Sequence, residues 1–138
     1  MKAILLALRL LVAPLALGLA FTTAHAAETA APKAKHVDVA GAAKLLETNK
    51  NVVVLDIRTE DEFKDGHLPK AVNIDYLDKS FGEKIAKLDK EKTYLVHCAA
   101  GGRSTKSLEQ FKAKGFKNIY HLDGGYGAWE AAGKPVTK

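Results

Sequence analysis

Cysteine is almost absent from this 138-residue chain: Cys98 is the only one, and there is no C-x-x-C pair. An internal disulfide is therefore excluded, and a redox role would need a second thiol from another molecule. A lone thiol in an oxidising compartment is a liability unless it is buried or used in chemistry. The surroundings of Cys98 therefore decide how it is interpreted.

Long apolar runs are missing after residue 26. No stretch in that part of the sequence approaches the roughly 20 apolar residues that a membrane span needs. Residues 1–26 combine a basic start, an apolar run over 10–21 and the small-residue exit Ala24-His25-Ala26. This pattern is typical of a cleaved secretory signal. We predict a signal peptide at 1–26, a periplasmic or otherwise secreted product, and no membrane attachment after cleavage. The alternative is an uncleaved N-terminal anchor.

A concentrated charge of one sign is also lacking. Residues 27–138 keep 19 basic residues against 16 acidic ones, a net charge of +3. The lysines are scattered and no aromatic residues are interleaved with them, which argues against a nucleic-acid partner. We expect a monomer with a flexible leader at 27–36 and one domain at 37–138.

Short apolar runs alternate with amphipathic segments along this domain. The predicted strands lie at 52–55, 71–74, 94–96 and 118–121, and the predicted helices at 40–48, 60–64, 78–88, 104–114 and 125–132. The first strand is a continuous apolar run of three β-branched valines and a leucine, which is typical of a strand buried on both faces. Such alternation predicts an α/β fold with a central, mostly parallel sheet.

The helix at 104–114 has the clearest ends. Ser104 is a suitable N-cap residue, and Gly115 fits the left-handed position that follows a helix. Phe116 then falls where a Schellman motif places a hydrophobic contact with Phe111.

Cys98 opens a glycine-rich loop between a strand that ends at His97 and the helix that begins at Ser104. The loop residues Ala99, Ala100, Gly101 and Gly102 can turn successive N–H groups inward as an anion-binding nest. The following helix N-terminus and the Arg103 guanidinium favour negative charge at the same point. These features predict a lowered pKa for Cys98, and the resulting cup suits a persulfide or a transferred oxyanion.

This loop resembles the active-site loop of rhodanese-like domains, in which four residues separate Cys from Arg and Ser or Thr follows. Two further groups of residues resemble the flanking patterns of that family. The first lies at 55–58, 62–63, 66–69 and 71–74, and the second at 122–125, 128–129 and 132–135. The resemblance spans about 37–136, and a signal peptide before one such domain is similar to the phage-shock-type periplasmic rhodaneses.

The resemblance implies a rhodanese-like α/β fold, with a five-stranded, mostly parallel sheet and helices on both faces. It also implies a sulfurtransferase that needs no metal or organic cofactor. Cys98 would take the outer sulfur of a small anionic donor such as thiosulfate and pass it from a persulfide to a thiol or cyanide. Arg103, Ser104 and the loop N–H groups would bind the anionic sulfur. Asp56 and Arg58 are expected to support the loop by an ion pair or hydrogen bonds.

One position departs from the family pattern. Members that use thiosulfate carry a cationic residue two positions after the cysteine, whereas this chain has Ala100 there. We therefore expect weak binding of thiosulfate.

Three alternatives stay open at this point. Cysteine phosphatases and arsenate reductases use a similar cup, but with five residues between Cys and Arg. A non-catalytic rhodanese-like binding module is a second alternative, although such modules usually lose loop residues that this chain keeps. Cys98 as an inert core thiol is the third.

Overall fold

The computed structural model describes residues 33–138. The predicted signal peptide and most of the predicted leader lie outside these residues. Within 33–138, no helix combines the length and the apolar character that a bilayer crossing requires.

The described residues build a five-stranded sheet in the order β1-β5-β4-β2-β3, with every neighbouring pair parallel. Its strands are β1 (Lys35–Val37), β2 (Val53–Asp56), β3 (Val72–Asn73), β4 (Thr93–His97) and β5 (Asn118–Leu122). The prediction of a five-stranded parallel sheet is confirmed. β2 and β4 lie inside the sheet, which explains their continuous apolar runs.

Residues 33–138 also form five helices: α1 (Val39–Thr48), α2 (Glu60–Asp65), α3 (Phe81–Ala86), α4 (Gly102–Ala113) and α5 (Gly125–Ala131). Side chains alternate between the two faces of each strand, so the sheet has two apolar cores. Leu55 and Val96 lie in the core that Phe81 of α3 and Phe111 of α4 complete. The second core joins the opposite faces of β2 and β4 to helices α1 and α5. Helices on both faces are therefore confirmed.

The structure corrects several boundaries. Helix α3 is shorter at both ends than the predicted range 78–88. Two other corrections bear on the site. Lys35 and His36, which the sequence assigned to a flexible leader, form β1 by pairing with Tyr120 and His121 of β5. This short strand has no apolar run of its own, and its pairing with β5 defines it. Helix α4 begins at Gly102 rather than Ser104, because Gly101 occupies the N-cap position with a φ of 103°.

The C-terminal end of α4 matches the prediction. Gly115 has a φ of 81°, and the N–H of Phe116 donates to the Phe111 carbonyl at 3.2 Å. The rings of Phe111 and Phe116 meet edge to face with their centroids 5.0 Å apart. These contacts form a Schellman motif, which ties the end of the helix to the core.

Replacing Gly115 by alanine should destabilise the fold through backbone conformation alone. An added Cβ at Gly115 would contact nothing within 4 Å, but the positive φ is unfavourable for an L-residue by about 1–2 kcal/mol. Gly102→Ala is the control, because this helical glycine also has free space and its φ is ordinary. Urea denaturation should show a lower free energy of unfolding for Gly115→Ala and no loss for Gly102→Ala. Equal values would contradict this account.

Candidate active site

The site lies where β2 and β4 end at the same edge of the sheet. Asp56 and His97 are register partners in these parallel strands, and Cys98 follows directly. Carboxyl ends of parallel strands are where open α/β sheets bind ligands. The sheet register therefore brings the 56–58 segment and the cysteine loop together, as the sequence predicted.

Three hydrogen-bond donors converge on the Cys98 sulfur. The N–H of Gly101 lies 3.1 Å from Sγ, and both the N–H and the hydroxyl of Ser104 lie 3.4 Å from it. Because α4 begins at Gly102, Ser104 is the third helical residue and its side chain points back toward the loop. The residue predicted as the helix cap thus contacts the sulfur instead.

These donors determine the ionisation of Cys98. Burial raises the pKa of the thiol, but hydrogen bonds from the Ser104 hydroxyl and from the N–H groups of Ser104, Gly101 and Ala100 more than offset it. The net result is a lowered pKa for Cys98, because each donor stabilises the thiolate.

Cys98 is only 1% exposed, so its burial agrees with the core-thiol interpretation. Its polar contacts do not, since a thiol in purely apolar surroundings has a raised pKa. The sulfur therefore lies at the base of a polar cup formed by the loop and Ser104.

The start of α5 holds the other side of the loop. The N–H of Tyr126 donates to the Cys98 carbonyl at 2.8 Å, and that of Gly127 donates to the Ala99 carbonyl at 2.9 Å. At Gly125 an added Cβ would lie 2.5 Å from the Cys98 carbonyl oxygen. Glycine is needed there because the two backbone segments approach so closely.

The Arg103 guanidinium is bound to Glu62 at the N-terminal end of α2. Its NH1 and NH2 groups donate to the two carboxylate oxygens at 2.8 and 2.7 Å. Glu62 also forms a capping box with Thr59. These two hydrogen bonds fix the orientation of the Arg103 guanidinium, and the Glu62 carboxylate partly balances its positive charge before any substrate binds.

Asp56 and Arg58 form the expected ion pair. Asp56 is fully buried, and it accepts from the Arg58 backbone N–H and from Nε and NH2 of the guanidinium at 2.7–3.1 Å. The same NH2 group donates to the Gly66 carbonyl at 2.6 Å, and the guanidinium lies 4.0 Å from the Tyr126 ring centroid. The pair thus connects β2 to α2 and to α5.

His97 is buried and only partly satisfied. Its Nδ1–H donates to the Cys98 carbonyl at 3.0 Å, but its Nε2 has no hydrogen-bond partner. Burial lowers the pKa of His97 and so favours the neutral ring. The nearby Asp56 carboxylate opposes this effect but does not outweigh it. His97 therefore ends β4 with one ring nitrogen hydrogen-bonded and the other without a partner.

A second polar chain reaches the sulfur from β5. Nε2 of the buried His121 lies 2.8 Å from the Ser104 hydroxyl, and its Nδ1 lies 2.8 Å from Asp123 Oδ1. Nδ1 of His36, on β1, lies 2.8 Å from the same carboxylate oxygen. His36 and His121 are register partners, which explains why their rings are neighbours.

His36, His121 and Asp123 are residue types that also bind metals, and their donor atoms lie within 4.8 Å of one another. Two donors on a tetrahedral zinc ion are about 3.3 Å apart, since each bond is about 2.0–2.1 Å long. The two separations of 2.8 Å between nitrogen and oxygen are hydrogen-bond lengths. We therefore describe the group as hydrogen-bonded side chains.

Sequence reasoning missed Glu62 and His121 as residues of the site. The Thr59-x-x-Glu62 spacing fits a capping box and indicates a helix start, so it does not point to Arg103. His121 carried a usable signal, because a histidine on the inward face of a strand must find a polar partner. Gly102 lies in the predicted loop, but space alone does not require a glycine there, because an added Cβ would contact nothing within 4 Å.

The Glu62–Arg103 ion pair should make stability depend on acidity. Arg103 and, to a smaller extent, Thr59 lower the pKa of Glu62 from 4.5 to about 2, although burial opposes the change. The pair therefore stabilises the fold fully above pH 4.5, and this contribution is lost as the pH falls toward 2. In urea denaturation, the free energy of unfolding should fall less between pH 6 and pH 3 for the Glu62→Gln variant than for the wild type. Glu47→Gln, which removes an exposed carboxylate on α1, should keep the wild-type slope. Equal slopes for all three proteins would contradict the assignment.

Comparison with known proteins places this geometry in a family. The family described as "Rhodanese-like domain" matches residues 38–132. Thiosulfate sulfurtransferase 18 of Arabidopsis thaliana is 34% identical over 121 residues, covering 79% of this chain and 88% of that protein. The thiosulfate sulfurtransferase GlpE of Pseudomonas savastanoi is 32% identical over 82 residues, covering 59% of this chain and 76% of that protein.

A solved structure agrees. The rhodanese-related protein of Thermoplasma volcanium has a TM-score of 0.65 and 30% identity, covering 75% of this chain and 97% of the other. The sheet order, the cysteine loop and these similarities together lead to one conclusion: the chain belongs to the rhodanese-like domain family.

Proposed function

We propose that this protein is a sulfurtransferase that carries sulfane sulfur on Cys98. The observation that carries the proposal is the set of N–H and O–H donors that converge on the Cys98 sulfur and lower its pKa. A thiolate in such a cup is a nucleophile, and the same donors can stabilise a second anionic sulfur bound to it. Relatives that carry the name thiosulfate sulfurtransferase support this function.

The reaction has two displacements. In the first, the Cys98 thiolate attacks the outer sulfur of a donor such as thiosulfate. The sulfur–sulfur bond of the donor breaks, sulfite leaves with the electron pair, and a Cys98 persulfide remains. In the second, a thiolate or cyanide attacks the outer sulfur of the persulfide, and the Cys98 thiolate leaves. No net oxidation occurs, so no redox cofactor takes part.

The surrounding residues divide into two groups. The N–H groups of the loop from Ala99 to Gly102 and the Ser104 donors bind the anionic sulfur, and Arg103 attracts the incoming anion. Asp56 and Arg58 act as supporting residues, because their ion pair connects β2 to α5, which in turn holds the Cys98 carbonyl. Removing one preorganised donor in such sites typically costs about 3–4 kcal/mol of transition-state stabilisation.

Loop length argues against the oxyanion alternatives. Four residues separate Cys98 from Arg103, one fewer than in cysteine phosphatases and arsenate reductases. A shorter loop makes a tighter cup, which suits a single sulfur atom better than a tetrahedral oxyanion. The lowered pKa of Cys98 also argues against an inert binding module.

We further propose that this reaction takes place after export, on the basis of the signal-like segment 1–26, and that the exported protein is a monomer. N-terminal sequencing of protein recovered from the periplasm or the medium tests this proposal. A mature chain that starts at Ala27 supports it, and an intact Met1 in the cytoplasm contradicts it. Elution as a dimer in gel filtration would contradict the monomer.

Sulfur loading of Cys98 is the direct test of the function. Intact mass spectrometry after incubation with thiosulfate should show the gain of one sulfur atom, which cyanide then removes. Cys98→Ser should not gain this sulfur, because its hydroxyl cannot form a persulfide, and its circular dichroism spectrum should match the wild type. Two results together would contradict the proposal. The protein would gain sulfur from neither thiosulfate nor a low-molecular-weight persulfide, and it would turn over arsenate or an aryl phosphate.

Ala100 should limit the use of thiosulfate. This exposed position lies in the loop, and an arginine there would attract the dianion. An exposed ion pair contributes up to about 1 kcal/mol, so Ala100→Arg should lower the KM for thiosulfate by up to about fivefold, and added salt should remove the gain. Ala113→Arg, at the far end of α4, adds the same charge and should leave the KM unchanged. The same decrease in both variants would indicate a general charge effect and contradict a local one.

A further inference from the structure

The Ser104 hydroxyl has a single proton and several possible acceptors. It lies 3.1 Å from the Gly101 carbonyl, 2.8 Å from His121 Nε2 and 3.4 Å from Cys98 Sγ. The N–H and the hydroxyl of Thr105 already donate to the Gly101 carbonyl at 2.9 and 2.8 Å. Both lone pairs of that oxygen are thus occupied, and the Ser104 proton is left to His121 or to the sulfur.

Asp123 decides which of these two accepts. A carboxylate can only accept, so the 2.8 Å contact with Asp123 requires a proton on His121 Nδ1. In the neutral ring Nε2 then carries a lone pair and accepts from the Ser104 hydroxyl. The oxygen of Ser104 is left free to accept from the Cys98 thiol. The chain therefore runs from S–H to O–H to Nε2, with every donor matched to an acceptor.

Transfer along this chain produces an equally well-matched state. The thiol proton moves to Ser104 Oγ while the hydroxyl proton moves to His121 Nε2. The products are a Cys98 thiolate and a His121 imidazolium, and the Ser104 O–H now donates to the sulfur. Asp123 balances the imidazolium charge through the same Nδ1–H hydrogen bond.

We infer that His121, oriented by Asp123, is a positioning residue that accepts the Cys98 proton through Ser104. This inference rests on the proposed function, because it assigns the group that forms the nucleophile of sulfur transfer. The same residues have a role in the second displacement, in which Ser104 and His121 stabilise the Cys98 thiolate as it leaves the persulfide.

The surroundings of His121 leave few other titratable groups to consider. His36 faces its ring from β1 at a centroid distance of 4.8 Å, and His97 lies nearby at the end of β4. From α4 it meets Ser104 and Thr105, neither of which is charged. Its register partner on β4 is the apolar Val96. Asp123 is the carboxylate that balances its charge within the described residues.

The rate of Cys98 alkylation by iodoacetamide, measured against pH, tests the inference without any sulfur donor. His121→Gln keeps an amide that can hydrogen-bond to Ser104 but cannot accept a proton. Its alkylation at pH 7 should be about tenfold slower, because one unit in the pKa of the thiol changes the thiolate fraction by that factor. The two rates should converge above about pH 9, where the thiol ionises unaided.

His67→Gln is the matched control. The His67 ring is hydrogen-bonded to the Phe63 carbonyl and stacked on the Phe63 ring, and neither contact involves the cysteine loop. Its alkylation profile should follow the wild type. A His121→Gln rate that stays low at high pH would show a displaced loop, and an unchanged profile would show no coupling; either result overturns the inference.

A double-mutant cycle tests the role of Ser104. In a Ser104→Ala background the link between His121 and the sulfur is cut, so His121→Gln should slow alkylation no further. Additive slowing would overturn the relay.

Nitrogen-15 spectra of the wild-type imidazoles test the inference even if His121→Gln fails to fold. The doubly protonated His121 ring should accompany the thiolate and be lost when Cys98 is carboxamidomethylated. A ring that stays neutral while Cys98 is ionised would overturn the inference. Failed sulfur loading with the expected profiles would contradict the proposed function alone, and normal loading with an unchanged His121→Gln profile would contradict the relay alone.

Discussion

The hydrogen bonds that converge on the Cys98 sulfur are the interaction on which this site depends. Burial alone would raise the pKa of this thiol, and the Gly101 and Ser104 donors more than offset that effect, so that the pKa of Cys98 is lowered. They can do so only because Gly101 adopts a left-handed conformation, which starts α4 two residues earlier than its sequence suggests. The conformation of one glycine thus positions the donors that lower the pKa of Cys98.

Two ion pairs keep this cup in place from either side. Asp56 and Arg58 connect the end of β2 to α5, whose N–H groups hold the Cys98 and Ala99 carbonyls. Glu62 holds Arg103 in a fixed direction from α2. Charged groups are costly to bury without partners, so these pairs also explain why polar residues are tolerated beside an apolar sheet.

The cysteine loop also depends on a residue outside it, His121. The loop supplies the donors to the sulfur, but the proton of Ser104 is shared with a histidine on β5. That strand is brought into position by parallel pairing with β4 on one side and β1 on the other. Residues far apart in the chain therefore form one hydrogen-bonded path from Asp123 to Cys98.

The amino-acid sequence by itself determined the α/β class, the parallel sheet, the Schellman end of α4 and the identity of the cysteine loop. Each of these follows from local information: apolar periodicity, a glycine after a helix, or the spacing from Cys98 to Arg103. Only the tertiary structure decided that β1 exists, that Arg103 faces Glu62 and that His121 reaches Ser104. Those contacts join residues 17–85 positions apart, so their distances depend on sheet register and helix packing, which no local pattern encodes.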